Sequence, residues 1–124
     1  MPDRPRRSSG SETTFSNDLT DPADIEAGVQ AMADEVWAWC EKARAFGRTV
    51  TVKIKYADFQ QATRSRTLPA TVTSQESLRD VSIGLVRTVF PPAKGIRLVG
   101  VTLSSFERPD RTLSEQFELG LGMP

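Results

Sequence analysis

Residues 50–56 alternate in polarity. Val50, Val52, Ile54 and Tyr56 fall on one side of an extended chain and Thr51, Lys53 and Lys55 on the other, the period-2 signature of a strand with one buried and one wet face. Beyond a turn at residues 57–59, residues 61–68 are rich in threonine and place Arg64 and Arg66 two apart, which predicts a second strand folding back on the first. Upstream, residues 10–18 carry serine and threonine around a single large apolar anchor, Phe15, and predict the first strand.

A long helix follows that strand. Asp21 is a cap, Pro22 suits the first helical position and Asp24 suits the positive end of the helix. Ile25, Val29, Met32, Val36, Trp39 or Cys40, Ala43 and Phe46 recur at three- and four-residue spacing, and Gly47 is placed to end the helix in a left-handed conformation. On a helix Trp37 and Trp39 point in different directions, which predicts core packing rather than a stacking platform. Thr73 and Glu76 fit a capping box for a second helix with Leu78, Val81, Leu85 and Val89 as its stripe, stopped by Pro91 and Pro92. The nearly continuous apolar run at residues 96–103 predicts a central, bulged strand, with Gly100 as bulge or packing relief. The order β-α-β-β-α-β predicts an α+β fold: a four-stranded sheet with both helices on one face and the other face open. Strand order does not follow from the pattern.

Composition narrows the function. The chain has 124 residues, 38% apolar and 26% charged, enough for one domain and too few for two ordinary ones. Sixteen basic and sixteen acidic residues cancel, so only the distribution of charge can speak for nucleic acid. Basic residues gather at the start and in the middle strands, acidic ones at 18–41 and 107–118. Histidine is absent, which removes Ser-His and Cys-His nucleophile pairs and histidine zinc sites. The lone Cys40 lies on the helical stripe and reads as a buried, inert thiol. No run of about 18 apolar residues and no secretory leader is present, which predicts a cytoplasmic protein without a membrane partner.

The candidate chemistry is phosphate binding. If the middle strands pair, Thr51, Lys53, Lys55, Arg64 and Arg66 line the open face, Ser11 with Thr13 or Thr14 joins them from the first strand, and Thr67 is a further candidate DNA contact. Four cations and several hydroxyls on one surface suit a phosphate backbone without reading bases. Arg6 and Arg7 extend the basic character into the lead-in, residues 1–9.

These residues also carry a resemblance. Lys-Ile-Lys-Tyr-Ala-Asp-Phe at 53–59, Arg-Ser-Arg-Thr-Leu-Pro at 64–69, Ser-Glu-Thr-Thr-Phe at 11–15 and Gly-Ile-Arg-Leu-Val-Gly at 95–100 resemble the C-terminal little finger domain of Y-family translesion DNA polymerases, the DNA polymerase IV branch above all. The resemblance implies a noncatalytic module that grips primer–template duplex DNA beside the rest of the polymerase. Catalysis and its magnesium ions belong to domains not visible in this chain, so no cofactor is expected here. It also implies a basic linker at 1–9, the domain at 10–107 and a tail at 108–124. In the tail, Gln116, Phe117, Leu119 and Leu121 resemble the motif that docks on the bacterial sliding clamp, with Phe117 where leucine is commoner. The alternative is a ferredoxin-like RNA-binding or regulatory module, for which an RNA-recognition sheet would show aromatics on its open face.

Overall fold

The computed structural model describes residues 8–90, 92 and 94–107. Six elements follow in the expected order: β1 (Ser8–Leu19), α1 (Pro22–Ala43), β2 (Phe46–Tyr56), β3 (Gln61–Thr67), α2 (Gln75–Arg87) and β4 (Ile96–Glu107). They form one four-stranded sheet in the order β1-β4-β2-β3, with every neighbouring pair antiparallel. The most apolar strand is central because it is paired on both edges, while the polar β3 closes one side of the sheet. β1 and β2 therefore run the same way with β4 between them, as do β3 and β4 with β2 between them.

One face of the sheet is dry. Val50, Val52 and Ile54 of β2 and Val99, Val101 and Leu103 of β4 are almost fully buried, under Ile25, Val29, Val36 and Cys40 of α1 and Leu78 and Val86 of α2. Trp37 is buried with its ring 5.5 Å from that of Phe46, and Trp39 stacks on Phe106 at 5.7 Å, so both tryptophans belong to the packing. Burial pushes the Cys40 thiol up to about 11, leaving too little thiolate for nucleophilic work.

Several local expectations shift. Asp21 does cap α1, accepting from the Ala23 N–H at 2.9 Å. The helix ends earlier than the stripe suggested, at Ala43, and Arg44 rather than a glycine takes the left-handed position with φ 57°. Gly47 lies inside β2 instead, where a Cβ would run into the Ser104 carbonyl oxygen of β4. The cap of α2 is Ser74 and not Thr73: its hydroxyl accepts from the Ser77 N–H at 3.0 Å. The buried line of α2 is Leu78, Ser82 and Val86, flanked by the half-buried Val81, Leu85 and Val89. β1 starts two residues before its predicted boundary and β4 runs four beyond its own.

Two bidentate ion pairs tie the helices together. Arg79 of α2 grips Asp34 of α1 at 2.6 and 2.9 Å, and Arg87 grips Glu26 at 2.9 and 3.0 Å. The arginine hydrogen bonds hold both carboxyls below their ordinary range. A lowered folded value means stability that is present above the unfolded value and lost as pH falls through the folded one. Between about pH 5 and 2, the urea midpoint of an E26Q/D34N variant should therefore fall less steeply than that of the native chain; equal slopes would show that the pairs contribute nothing. Gly47→Ala should lower unfolding stability by about 1–3 kcal/mol, measured by urea titration, because backbone on β4 has to move.

Candidate nucleic-acid interface

Directly opposed residues in antiparallel strands point to the same side of a sheet, so the register assigns side chains to faces up to Ser104; at Ser105, with φ 61°, the alternation breaks and Phe106 turns to Trp39 of α1. Four rows cross the open face from β1 to β3: Ser8, Ser104, Thr49, Thr67; Gly10, Thr102, Thr51, Ser65; Glu12, Gly100, Lys53, Thr63; and Thr14, Leu98, Lys55, Gln61. Most are small hydroxyl residues. Thr49 shares hydrogen bonds with Thr67 and Ser105, and Thr51 with Ser65, each at 2.9 Å. Between the rows lies a shallow depression of about 350 Å³, with Thr51, Lys53, Thr63, Gly100 and Thr102 among its lining.

Lys53 reaches across this depression to Glu12 on β1, Nζ to Oε1 at 3.0 Å. The residue between them is Gly100, where an added Cβ would stand 3.1 Å from the Glu12 Cβ. Its missing side chain is therefore packing relief, and it opens the gap over which the ion pair closes.

Thr14, Thr51, Lys53 and Lys55 lie on the open face, as the pattern predicts, and the candidate contact Thr67 stands there too. Arg64 and Arg66 do not. They stand opposite Val52 and Val50, on the side that the helices cover. Ser11 and Thr13 stand opposite Val101 and Val99 on that same side, and the Ser11 hydroxyl donates to Glu35 of α1 at 2.8 Å. The expected surface of four cations on one face does not form: Lys53 and Lys55 stand on the open side, Arg64 and Arg66 on the other. Arg6 and Arg7, and Gln116, Phe117, Leu119 and Leu121, lie outside the described residues.

The register brings together a different set of donors. The Leu68 N–H donates to the Arg48 carbonyl and the Tyr56 N–H to the Gln60 carbonyl, both at 2.8 Å. Hydrogen-bonded pairs alternate with non-bonded ones, so Ala62, Arg64 and Arg66 turn their backbone groups inward to β2. Thr63, Ser65 and Thr67 turn theirs outward, along an edge with no neighbouring strand among the described residues. Their side chains, like that of Gln61, face the open side. The two arginines emerge behind the same edge, both exposed. The β3 rim thus presents backbone N–H groups outward, hydroxyls in front and guanidinium groups behind, all of them donors to phosphate oxygens.

At the turn end of this rim Phe59 is 64% exposed with φ 70°, and the Arg97 guanidinium lies 4.9 Å from its ring centre. Beside it Lys94 pairs with Asp58. Among the described residues no three His, Cys, Asp or Glu side chains gather as metal ligands.

Comparison with known proteins agrees with this architecture. The impB/mucB/samB family C-terminal domain matches residues 6–119. The chain belongs to this family. It is a little finger domain of the kind found in Y-family DNA polymerase IV. DNA polymerase IV 2 of Agrobacterium fabrum is 44% identical over 115 residues, which cover 93% of this chain and 32% of that protein. The chain spans about a third of the length of the curated relatives it matches, and corresponds to their C-terminal domain alone. Among solved structures, a complex of the beta-clamp processivity factor and the little finger domain of PolIV aligns with a TM-score of 0.66 at 23% identity, over 82% of this chain and 90% of that one. An insertion ternary complex of Dbh DNA polymerase aligns with a TM-score of 0.69 at 18% identity, over 79% and 28%. At these identities the likeness is one of fold.

The rim geometry has a direct check in amide hydrogen exchange. The amides of Thr63, Ser65 and Thr67 should exchange at least about tenfold faster than those of Arg64 and Arg66, because only the latter donate within the ladder. Uniform protection along β3 would overturn the assignment.

Proposed function

We propose that this little finger domain is a noncatalytic, sequence-tolerant clamp on primer–template duplex DNA within a lesion-bypass polymerase of the DNA polymerase IV kind. The observation that carries the reading is the β3 rim, where three sorts of phosphate donor share one exposed strand next to a hydroxyl-rich face holding Lys53 and Lys55. The relatives' name, DNA polymerase IV, supports it. Such donors follow a backbone and ignore base identity, which fits an enzyme that moves over arbitrary sequence. Polymer synthesis and its two metal ions are assigned to catalytic domains outside this chain, which alone should not extend a primer. An RNA-recognition platform fits less well, because none of the four rows on the open face carries an aromatic ring. No helix among the described residues is long and apolar enough to cross a membrane, and we place the domain in the cytoplasm with its DNA.

Titration of the chain with a short primer–template duplex at several salt concentrations tests the reading. With Lys55, Arg64, Arg66 and one further cation engaged, log affinity should fall with log salt at a slope near about −3.6, and K55A, R64A and R66A should each reduce its magnitude by about 0.9. Affinity should be the same for duplexes of shuffled sequence. A slope near zero, or strong preference for one sequence, would sink the proposal.

The tail reading is separate. Residues 116–124 are proposed to tether the domain to a bacterial sliding clamp through Gln116, Phe117, Leu119 and Leu121. That a little finger domain of PolIV has been solved in complex with the beta-clamp processivity factor supports that partner. Deleting these residues should abolish clamp binding in a pull-down while leaving the duplex affinity unchanged and the melting temperature within about 2 °C. A larger loss of stability would mean that Phe117 and its neighbours pack on the domain itself.

A further inference from the structure

The open face carries one acidic side chain in its four rows, Glu12 on the edge strand β1, and it reaches over β4 to Lys53 on the central strand β2. Glu12 is 53% exposed and its partner Lys53 39% exposed, so their contact is a wet surface pair. Pairs of this kind contribute little to stability. Gly100, which opens the gap between them, is itself an unfavourable residue for the middle of a strand. Gly100 is accounted for as packing relief beside Glu12, but stability does not explain the carboxylate itself. A phosphate entering the depression meets a lysine already neutralised and a carboxylate that repels it.

We propose that Glu12 is an affinity-limiting counter-charge: it occupies Lys53 in the free domain and must give it up before a phosphate can take its place. The inference rests on the duplex-binding reading above and assigns that site an internal brake. Contact at the rim is made by groups with no acidic partner among the described residues, Arg64 and Arg66, whereas contact at the centre requires an exchange of partners. Strong hold is thereby confined to one edge of the domain. The broad face stays weakly attached, as suits a surface that must let DNA pass.

The test compares the native chain with E12Q, K53Q, the E12Q/K53Q double variant and E41Q in duplex titrations across salt concentrations. Glu41 is an exposed residue of α1, in the layer away from the open face, and its replacement changes net charge by the same amount. E12Q should tighten duplex binding about two- to fivefold and raise the magnitude of the salt slope by about 0.9, since Lys53 becomes free to neutralise a phosphate. The double variant should return the slope to its native value, and E41Q should change neither quantity. The melting temperature of E12Q should stay within about 2 °C of native. If the native chain binds duplex and E12Q binds no more tightly, or if E41Q tightens it equally, the brake is refuted while the duplex reading stands. If none of the five proteins binds duplex, the duplex reading fails and the brake with it.

Discussion

The pairing of β4 with β1 on one edge and β2 on the other decides which side of the sheet every side chain occupies. Because the pleat has a period of two, a slip of one residue would carry Val99, Val101 and Leu103 out from under α1 and bring Leu98, Gly100 and Thr102 in. Burial of six valine, isoleucine and leucine side chains on the paired central strands penalises that slip heavily. Gly47 adds a steric pin at one end, where β2 comes so close to Ser104 that no side chain fits. The helices then close the dry face and are locked to each other by the Arg79–Asp34 and Arg87–Glu26 pairs.

The same constraint distributes charge. Lys53 and Lys55 are forced outward because Val52 and Ile54 are forced inward, and Arg64 and Arg66 are forced to the opposite side because they face Val52 and Val50 across the hairpin. Burial does not follow for the arginines, since β3 is the last of the described strands and their side chains are exposed at its margin. An edge strand with unpaired N–H groups is ordinarily an aggregation hazard, managed by charge among other devices. Here two arginines on a short strand supply that protection. Thus the features that keep the edge soluble are also those that suit it to a polyanion.

Element order, the Asp21 cap, the packing role of both tryptophans and the dry face of β2 were legible, because each depends on neighbours in sequence. Cap positions were less so. Ser74 displaced Thr73 by one residue, and Arg44 accepted a left-handed conformation that glycine would adopt more easily, since tertiary packing fixed where α1 had to stop. The side taken by Arg64 and Arg66 was also encoded, though not in their charge. The turn at residues 57–59 pairs Tyr56 with Gln60, and counting back two by two from there sets Val52 against Arg64. Grouping four cations by sign hides that parity. Glu12, by contrast, could not have been placed beside Lys53 from sequence, because their meeting depends on β4 entering the sheet between β1 and β2.

Strand geometry also bears on how a rim of this kind would hold a duplex. Outward N–H groups on β3 recur every second residue, about 6.8 Å apart for an extended chain, a step close to that between successive phosphates along one DNA strand. Thr63, Ser65 and Thr67 could then meet consecutive phosphates in register, with Arg64 and Arg66 approaching the same groups from behind and the hydroxyls from in front. A backbone N–H cannot swing away to a competing partner as a lysine can, so the rim supplies position and the long cations supply attraction. A one-step slide of the duplex would restore the same contacts with the next phosphates. On the proposed reading, this repeat lets one short strand hold DNA without fixing it at any particular base pair.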